Sequence, residues 1–156
     1  MQSSQQSLYA ALKDDVAAVA DPLFRLSEAL IRKYGNFLPH GLVLHDLGKD
    51  TVVGAVEDNG TGKSSSTQTL PLVHEGLRQE VRTRSSRAIG VAENVTITPD
   101  SGSRTCAIKV LFEHRDGLCV ALYLPFKRRF LRGYEFGSIF TIAAEPEVKP
   151  WARGEA

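Results

Sequence analysis

CAIKVLFEHRDGLCVALYLPF, residues 106–126, is the stretch that decides the fold. Two apolar runs, CAIKVLFEH and LCVALYLPF, flank Arg115-Asp116-Gly117. Asp-Gly between strand-like runs signals a hairpin, because both residues tolerate the positive φ that tight antiparallel turns require. With Asp116-Gly117 as the turn, Cys119 lies opposite His114. Cys106 then lies eight residues further along its own strand, on the order of 25 Å away at about 3.3 Å per residue. A disulfide needs Cα atoms within roughly 7 Å. Both cysteines are therefore expected as free, buried thiols, the state of a reducing compartment.

Working towards the N-terminus, AIGVAENVTIT alternates, with Ile89, Val91, Val95 and Ile97 on one side of a strand. Leu70, Val73, Leu77 and Val81 repeat at helical spacing and predict a helix over 70–85. The polar stretch 59–69 reads as a loop. GLVLHD and TVVGAVED, joined by Leu47-Gly48-Lys49-Asp50, read as a hairpin. Leu23, Leu26, Leu30 and Tyr34 stripe a helix over 22–34, with Asp21 as N-cap, Pro22 at the first helical position and Gly35 as the stop. An Ala-rich helix over 7–20 precedes it. Working towards the C-terminus, Pro125 marks a strand end or an edge, and GSIFTIA makes a last strand.

The fold expected is α+β: N-terminal helices, then ββ-α-βββ(β) strands in an antiparallel sheet with the helices packed on one face. Residues 1–20 are expected as an N-terminal helical arm, 21–145 as a single α+β domain and 146–156 as a polar C-terminal tail. The order resembles the topology of profilin-like and roadblock-like domains, which host sensors, scaffolds and dimerisation modules, so the fold alone fixes no function. PHGLVLHD at 39–46, EGLRQE at 75–80 and AIKVLFEHRDG with LYLPFKRR at 107–129 together resemble an uncharacterised family of small bacterial proteins. The likeness spans about residues 37–130. Its motifs are structural in kind, and the resemblance implies no assigned activity or site residues.

At 156 residues the chain suits one domain, and 42% apolar with 24% charged residues is ordinary globular composition. A net charge of +1 argues against general nucleic-acid binding. The N-terminal MQSSQQSLYAALKDD lacks the basic-then-apolar pattern of a signal peptide. The longest apolar run, 118–126, is about half the length of a membrane-spanning helix. The expectation is a cytoplasmic protein that does not enter a membrane.

Few motifs carry chemistry. Gly62-Lys63-Ser64 imitates the end of a phosphate-binding loop, but Glu57 stands where its first glycine belongs, and Pro71 delays the helix. No histidine or cysteine pair has zinc spacing, so no metal and no cofactor is expected. The best nucleophile candidate pairs Cys119 with His114 across the hairpin, yet Cys119 sits in a run that reads as buried, and core packing is the favoured reading. No catalytic residue is assigned.

YLPFKRRFLRGYEFGS, residues 123–138, sets Lys127, Arg128, Arg129 and Arg132 among Phe126, Phe130 and Tyr134. It reads as an exposed bend whose cations spread into water while Phe126 and Phe130 close the core. Arg78 and Arg82, with Arg84 and Arg87, extend the basic surface if their helix ends nearby. Arginine and aromatic residues suit a contact face for a protein partner, here an acidic one. The expected function is a non-enzymatic binding or regulatory module working through protein contacts, such as a toxin-neutralising protein, a scaffold or a homodimer. The alternative is a small enzyme or small-molecule sensor with a pocket near the 57–69 loop, using His40, His45 and His74.

Overall fold

The computed structural model describes residues 2–54, 66–99 and 102–152. In chain order these form α1 (Gln2–Ala11), α2 (Lys13–Tyr34), β1 (His40–His45), β2 (Thr51–Gly54), α3 (Ser66–Thr83), β3 (Ser86–Ile97), β4 (Thr105–His114), β5 (Cys119–Arg129), β6 (Gly133–Phe136) and β7 (Phe140–Ala143). The strands make one antiparallel sheet in the order β2-β1-β3-β4-β5-β6, with β7 also on β5. The α+β class and the antiparallel sheet agree with the sequence.

The helices do not share one face. Even-numbered Leu42, Leu44, Ala88, Ala92, Val110 and Phe112 pack against Val16, Val19, Leu23 and Ile31 of α2. Their strand neighbours Val43, Ile89 and Val91 point the other way, against Val73 and Leu77 of α3. Successive strand residues face opposite sides. A strand covered on both sides therefore reads as a continuous apolar run, as AIGVA does in β3. Glycine makes the close approach on each side: a Cβ on Gly90 would meet Val19 Cγ1 at 2.4 Å, and one on Gly41 would meet Leu77 Cδ1 at 3.0 Å.

The break between the N-terminal helices falls at Leu12, and α2 runs straight through Pro22 and through the boundary expected at residue 20/21. Proline inside a helix costs about 3 kcal/mol through its missing N–H and its clash with the preceding turn. Burial of Val16, Val19, Ala20, Leu23, Phe24 and Ile31 along one stripe outweighs that, at about 1.5–3 kcal/mol for each large apolar side chain. Asp21 is consequently no cap. Gly35 does end the helix, left-handed at φ 77°, with its N–H on the Ile31 carbonyl at 2.7 Å. The third helix likewise starts earlier than expected, at Ser66, and contains Pro71.

The β4–β5 loop is one residue longer than Asp116-Gly117. The His114 N–H bonds the Leu118 carbonyl at 2.9 Å, leaving Arg115, Asp116 and Gly117 as the loop, with Gly117 at φ 102°. The Asp116 N–H is drawn to His114 Nδ1 at 3.0 Å, which favours the three-residue turn. A one-residue slip exchanges faces, so Cys119 stands opposite Glu113, not His114. Both cysteines are free, but Cys106 is exposed and only Cys119 is buried.

The polar tail expected from residue 146 is part of the fold. Val148 is fully buried in the cluster under α3. The buried carboxylate of Glu113 accepts the backbone N–H groups of Glu147, Val148 and Lys149 at 3.0, 2.8 and 2.8 Å. Arg78 Nε donates to the Val148 carbonyl, and the Trp151 indole N–H donates to the Ser86 carbonyl.

Candidate functional site: a basic, aromatic corner

β5 does not stop at Pro125 but continues to Arg129. Its last residues pair with β6, Phe126 opposite Phe136 and Arg128 opposite Tyr134. Phe126 is buried, with its ring centroid 6.2 Å from Tyr134 and 5.8 Å from Phe136. Lys127, Arg128 and Arg129 are exposed. The chain then reverses over 130–132, with Arg132 N–H on the Arg129 carbonyl at 3.1 Å and both Leu131 (φ 62°) and Gly133 (φ 74°) left-handed.

Phe130 was expected in the core, and it is not there. It is 89% exposed and Leu131 is 90% exposed. Because β5 runs on past Pro125, the reversal begins only after Arg129, and Phe130 falls on the tip, beyond any surface that could cover it. A left-handed conformation at a non-glycine residue costs roughly 1–3 kcal/mol. At Leu131 that cost holds an apolar side chain in water.

The C-terminal end of α2 completes the corner. Its last turn brings Arg32, Lys33 and Tyr34 beside the hairpin, where cations also suit the helix dipole. A Cβ on Gly35 would meet Tyr134 Oη at 2.8 Å, so the helix end abuts β6. Arg32 lies over the Phe136 ring, 4.7 Å from its centroid. An open groove of about 830 Å³ runs between helix end and hairpin, lined by Arg32, Lys33, Tyr34, Arg128, Phe130 and Tyr134 among others. Arg129 makes a two-pronged pair with Glu135 at 2.8 and 2.9 Å. The hydrogen bonds from Arg129 hold the Glu135 carboxyl below its ordinary value, with Lys127 adding to the effect. Among the described residues Glu135 is the one carboxylate paired to these six cations. The corner thus carries a local excess of five positive charges in a chain of net charge +1, so the rest of the sequence sums to a net negative charge.

Arg78 and Arg82 do not join this corner. They sit on α3 over the opposite face, both paired with Glu75, and Arg78 also anchors the C-terminal strap. Arg84 bonds the Leu47 carbonyl, and Arg87 ties Asp15 to the His45 carbonyl. Arg78, Arg84 and Arg87 are fasteners within the fold, and Arg82 pairs within its own helix. In their place the structure supplies Arg32 and Lys33, whose only sequence signal was a basic last turn on a helix.

The three histidines of the alternative site are not brought together. His40 lies under α2, with Nδ1 bonded to the Leu38 carbonyl at 3.0 Å and Nε2 3.3 Å from the Ser27 hydroxyl. His45 closes the end of β1 between Ser86 and Thr51 at 2.8 and 2.7 Å. His74 is on α3, and its buried Nε2 has no hydrogen-bond partner among the described residues. Burial lowers the pKa of all three, aided at His45 by Arg84 and at His74 by Arg78. Most of the 57–69 loop, including Gly62, Lys63 and Ser64, lies outside the described residues.

Cys119 is not set up as a nucleophile. Burial first, then the Glu113 charge, pushes the Cys119 thiol up to about 12, so it stays protonated and inert. His114 instead meets Asp15, Nε2 to Oδ2 at 2.9 Å, across 99 positions of sequence. With Nδ1 taken by the Asp116 N–H, both ring nitrogens are engaged, and the pair ties α2 to the sheet. Asp15 is held below its ordinary value because the hydrogen bonds from His114 and Arg87 outweigh burial, which acts upwards.

Among the described residues no three His, Cys, Asp or Glu side chains are grouped to hold a metal ion, and no helix is long and apolar enough to cross a membrane. No protein-family model, curated protein or solved structure matches the chain.

Proposed function

We propose that this protein is a non-enzymatic binding module that docks an acidic segment of a protein partner on the corner formed by the β5–β6 hairpin and the end of α2. One observation carries the proposal: six cations facing a single carboxylate, around a tip that holds Phe130 and Leu131 in water. Arginine and aromatic anchors of this kind dominate protein interfaces, and complementary charge steers the encounter. A scaffold or a toxin-neutralising protein would use such a face. The α-ββ-α-βββ order, by analogy with profilin-like and roadblock-like domains, supports a scaffold role. A cytoplasmic setting belongs to the same proposal, since two free thiols fit a reducing compartment.

A labelled hexaglutamate peptide tests it by fluorescence anisotropy. It should bind at low salt and weaken as salt shortens the Debye length towards roughly 8 Å. A Lys127/Arg128/Arg132→Glu triple variant should lose at least tenfold in affinity while melting within a few degrees of the parent. Absence of binding at low salt, or full binding by the triple variant, overturns the proposal. So does tighter binding of a single-stranded oligonucleotide of equal charge.

A further inference from the structure

β6 and β7 both pair with β5, on the side away from β4, and form one edge of the sheet. The edge is interrupted at 137–139 for a definable reason. Gly137 donates its N–H to the Pro125 carbonyl at 2.8 Å, but proline has no N–H to return. In an antiparallel pair, alternate residues spend both backbone groups on the partner, and those between point them outward. The Gly137–Pro125 bond and the Ala144 N–H on the Cys119 carbonyl fix the phase. Tyr134 and Phe136 in β6, and Thr141 and Ala143 in β7, therefore direct their backbone groups away from β5. No strand receives them among the described residues.

Sheet edges are ordinarily guarded by charge, proline or brevity. Residues 137–144, GSIFTIAA, contain no charge and no proline, which leaves the brevity of β7, four residues, as their one guard. Ile139, Phe140 and Ile142 stand exposed there, and Phe140 stacks on Tyr123 at 5.1 Å. On the other face a groove of about 930 Å³ lies between α1 and β7, lined by Tyr9, Val120, Thr141 and Ala143 among others. At its β6 end the same edge runs into the basic corner.

We infer that an extended segment adds to the open β6–β7 edge as a further strand, with its acidic half beside β6 and the corner cations and an alternating apolar half beside β7. This rests on the corner reading above and specifies the partner: a strand-forming acidic segment rather than an acidic helix or a diffuse charged tail. Backbone hydrogen bonds to Thr141 and Ala143 supply the edge contact, Ile139, Phe140 and Ile142 take its apolar side chains, and the corner reads its carboxylates.

The test compares the hexaglutamate peptide with one in which six alternating valines and threonines precede the same glutamates. The longer peptide should bind at least tenfold more tightly. Thr141→Pro removes one outward N–H while leaving the bonds to β5, and it should abolish that gain without changing hexaglutamate binding. In the unmodified protein, hydrogen exchange at the Thr141 and Ala143 amides should slow when the longer peptide is added, a readout independent of any variant. Hexaglutamate binding without the gain, a gain that survives Thr141→Pro, or unchanged exchange at these amides overturns the edge inference alone. Failure to bind hexaglutamate takes down the corner reading itself. A wild type that sediments as a dimer and becomes monomeric in Thr141→Pro assigns the edge to a second copy of this chain and overturns the inference.

Discussion

Glu113→Gln should release the C-terminal strap without unfolding the domain. In the native protein one oxygen of Glu113 accepts the N–H groups of Glu147 and Val148, and the other accepts that of Lys149. Hydrogen bonds to a charged acceptor contribute about 1.5–3 kcal/mol each, and those to a neutral one about 0.5–1.5. Glutamine keeps one oxygen, so two bonds lose roughly 1 kcal/mol each. The third donor faces an amide NH₂, and an orphaned buried N–H costs about 1–3 kcal/mol. The total is about 3–5 kcal/mol. What remains to hold the strap is the burial of Val148, about 1.5–3 kcal/mol, and the Trp151 and Arg78 hydrogen bonds at about 1 kcal/mol each. Ordering a backbone costs about 1–2 kcal/mol per residue, so over residues 147–151 the weakened set of contacts no longer clearly outweighs it. The strap should therefore spend much of its time detached, and detachment caps the loss, because α2, α3 and the strands keep their own contacts.

Trp151 is the single tryptophan, so its fluorescence reports the strap alone. Its emission should shift to the red in Glu113→Gln. Amides 147–149 should exchange at nearly unprotected rates, while the β3 and β4 amides keep their protection. Unchanged emission together with native protection at 147–149 would refute the assignment of Glu113 as the strap's anchor. Loss of protection throughout β3 and β4 would refute the cap.

The remaining predictions concern packing, thiols and pH. Phe126→Ala should lose about 3–5 kcal/mol, whereas Phe130→Ala should stay within about 0.5 kcal/mol of the parent, as exposed positions do; denaturant midpoints measure both, and equal losses would contradict the inside–outside assignment of the hairpin. Gly90→Ala should cost about 1–3 kcal/mol by pushing α2 off the sheet, seen as a lower melting temperature; an unchanged one would mean that the helix yields freely. Under native conditions iodoacetamide should modify Cys106 promptly and Cys119 only on unfolding, read by mass spectrometry of the two peptides. Burial holds buried His40 and His45 below the ordinary histidine value, so the unfolded chain binds their protons more readily. Stability should be level above about pH 6.5 and fall below it, by about 1.4 kcal/mol at pH 5.5 for each ring that stays neutral in the folded state. Glu93, pushed up by burial, acts the other way on acidification and offsets part of that fall, whereas His74, also held low by burial, adds to it; a urea midpoint that falls less between pH 7.5 and 5.5 in a His40→Gln/His45→Gln variant than in the parent checks the assignment.

The parts of the fold that were readable in the sequence are those written in local pattern. The helix over 22–34, the Gly35 stop and the two hairpins depend on neighbours a few positions away, although two of the four expected stripe positions, Leu26 and Tyr34, are exposed and Phe24, Ser27 and Ile31 fill the buried face instead. What was misread depends on distant partners. Pro22 looks like a helix start because its ring fits one, and only the core beneath α2 makes the helix run through it. AIGVA looks like an alternating strand until helices on both sides account for every residue. The hairpin register follows a three-residue turn closed by the Gly117 N–H on the His114 carbonyl, with the Asp116 N–H on His114 Nδ1 beside it, and the extra residue carried Cys119 to the other face. The tail looked polar because its anchor is its own backbone, held by a carboxylate 34 to 36 residues earlier in the chain.

The corner shows the same division within a single site. Lys127, Arg128, Arg129 and Arg132 were visible as a run, and their exposure follows from their chemistry. Arg78 and Arg82 were visible too, but carboxylate and carbonyl partners occupy them on the other side of the sheet. Arg32 and Lys33, about one hundred residues before the run, were indistinguishable from any helix end until Gly35 was seen to abut Tyr134. Phe130 is the most informative miss. By pattern it belongs inside, and a chain under selection for stability alone would bury it or replace it with a polar residue. Phe130 stands exposed beside a left-handed Leu131 and lines the groove with Arg32, Lys33 and Arg128. Departures of that kind concentrate where function competes with stability. The same residue should therefore separate the two: Phe130→Ala should leave the melting temperature unchanged and lower the affinity for an acidic strand.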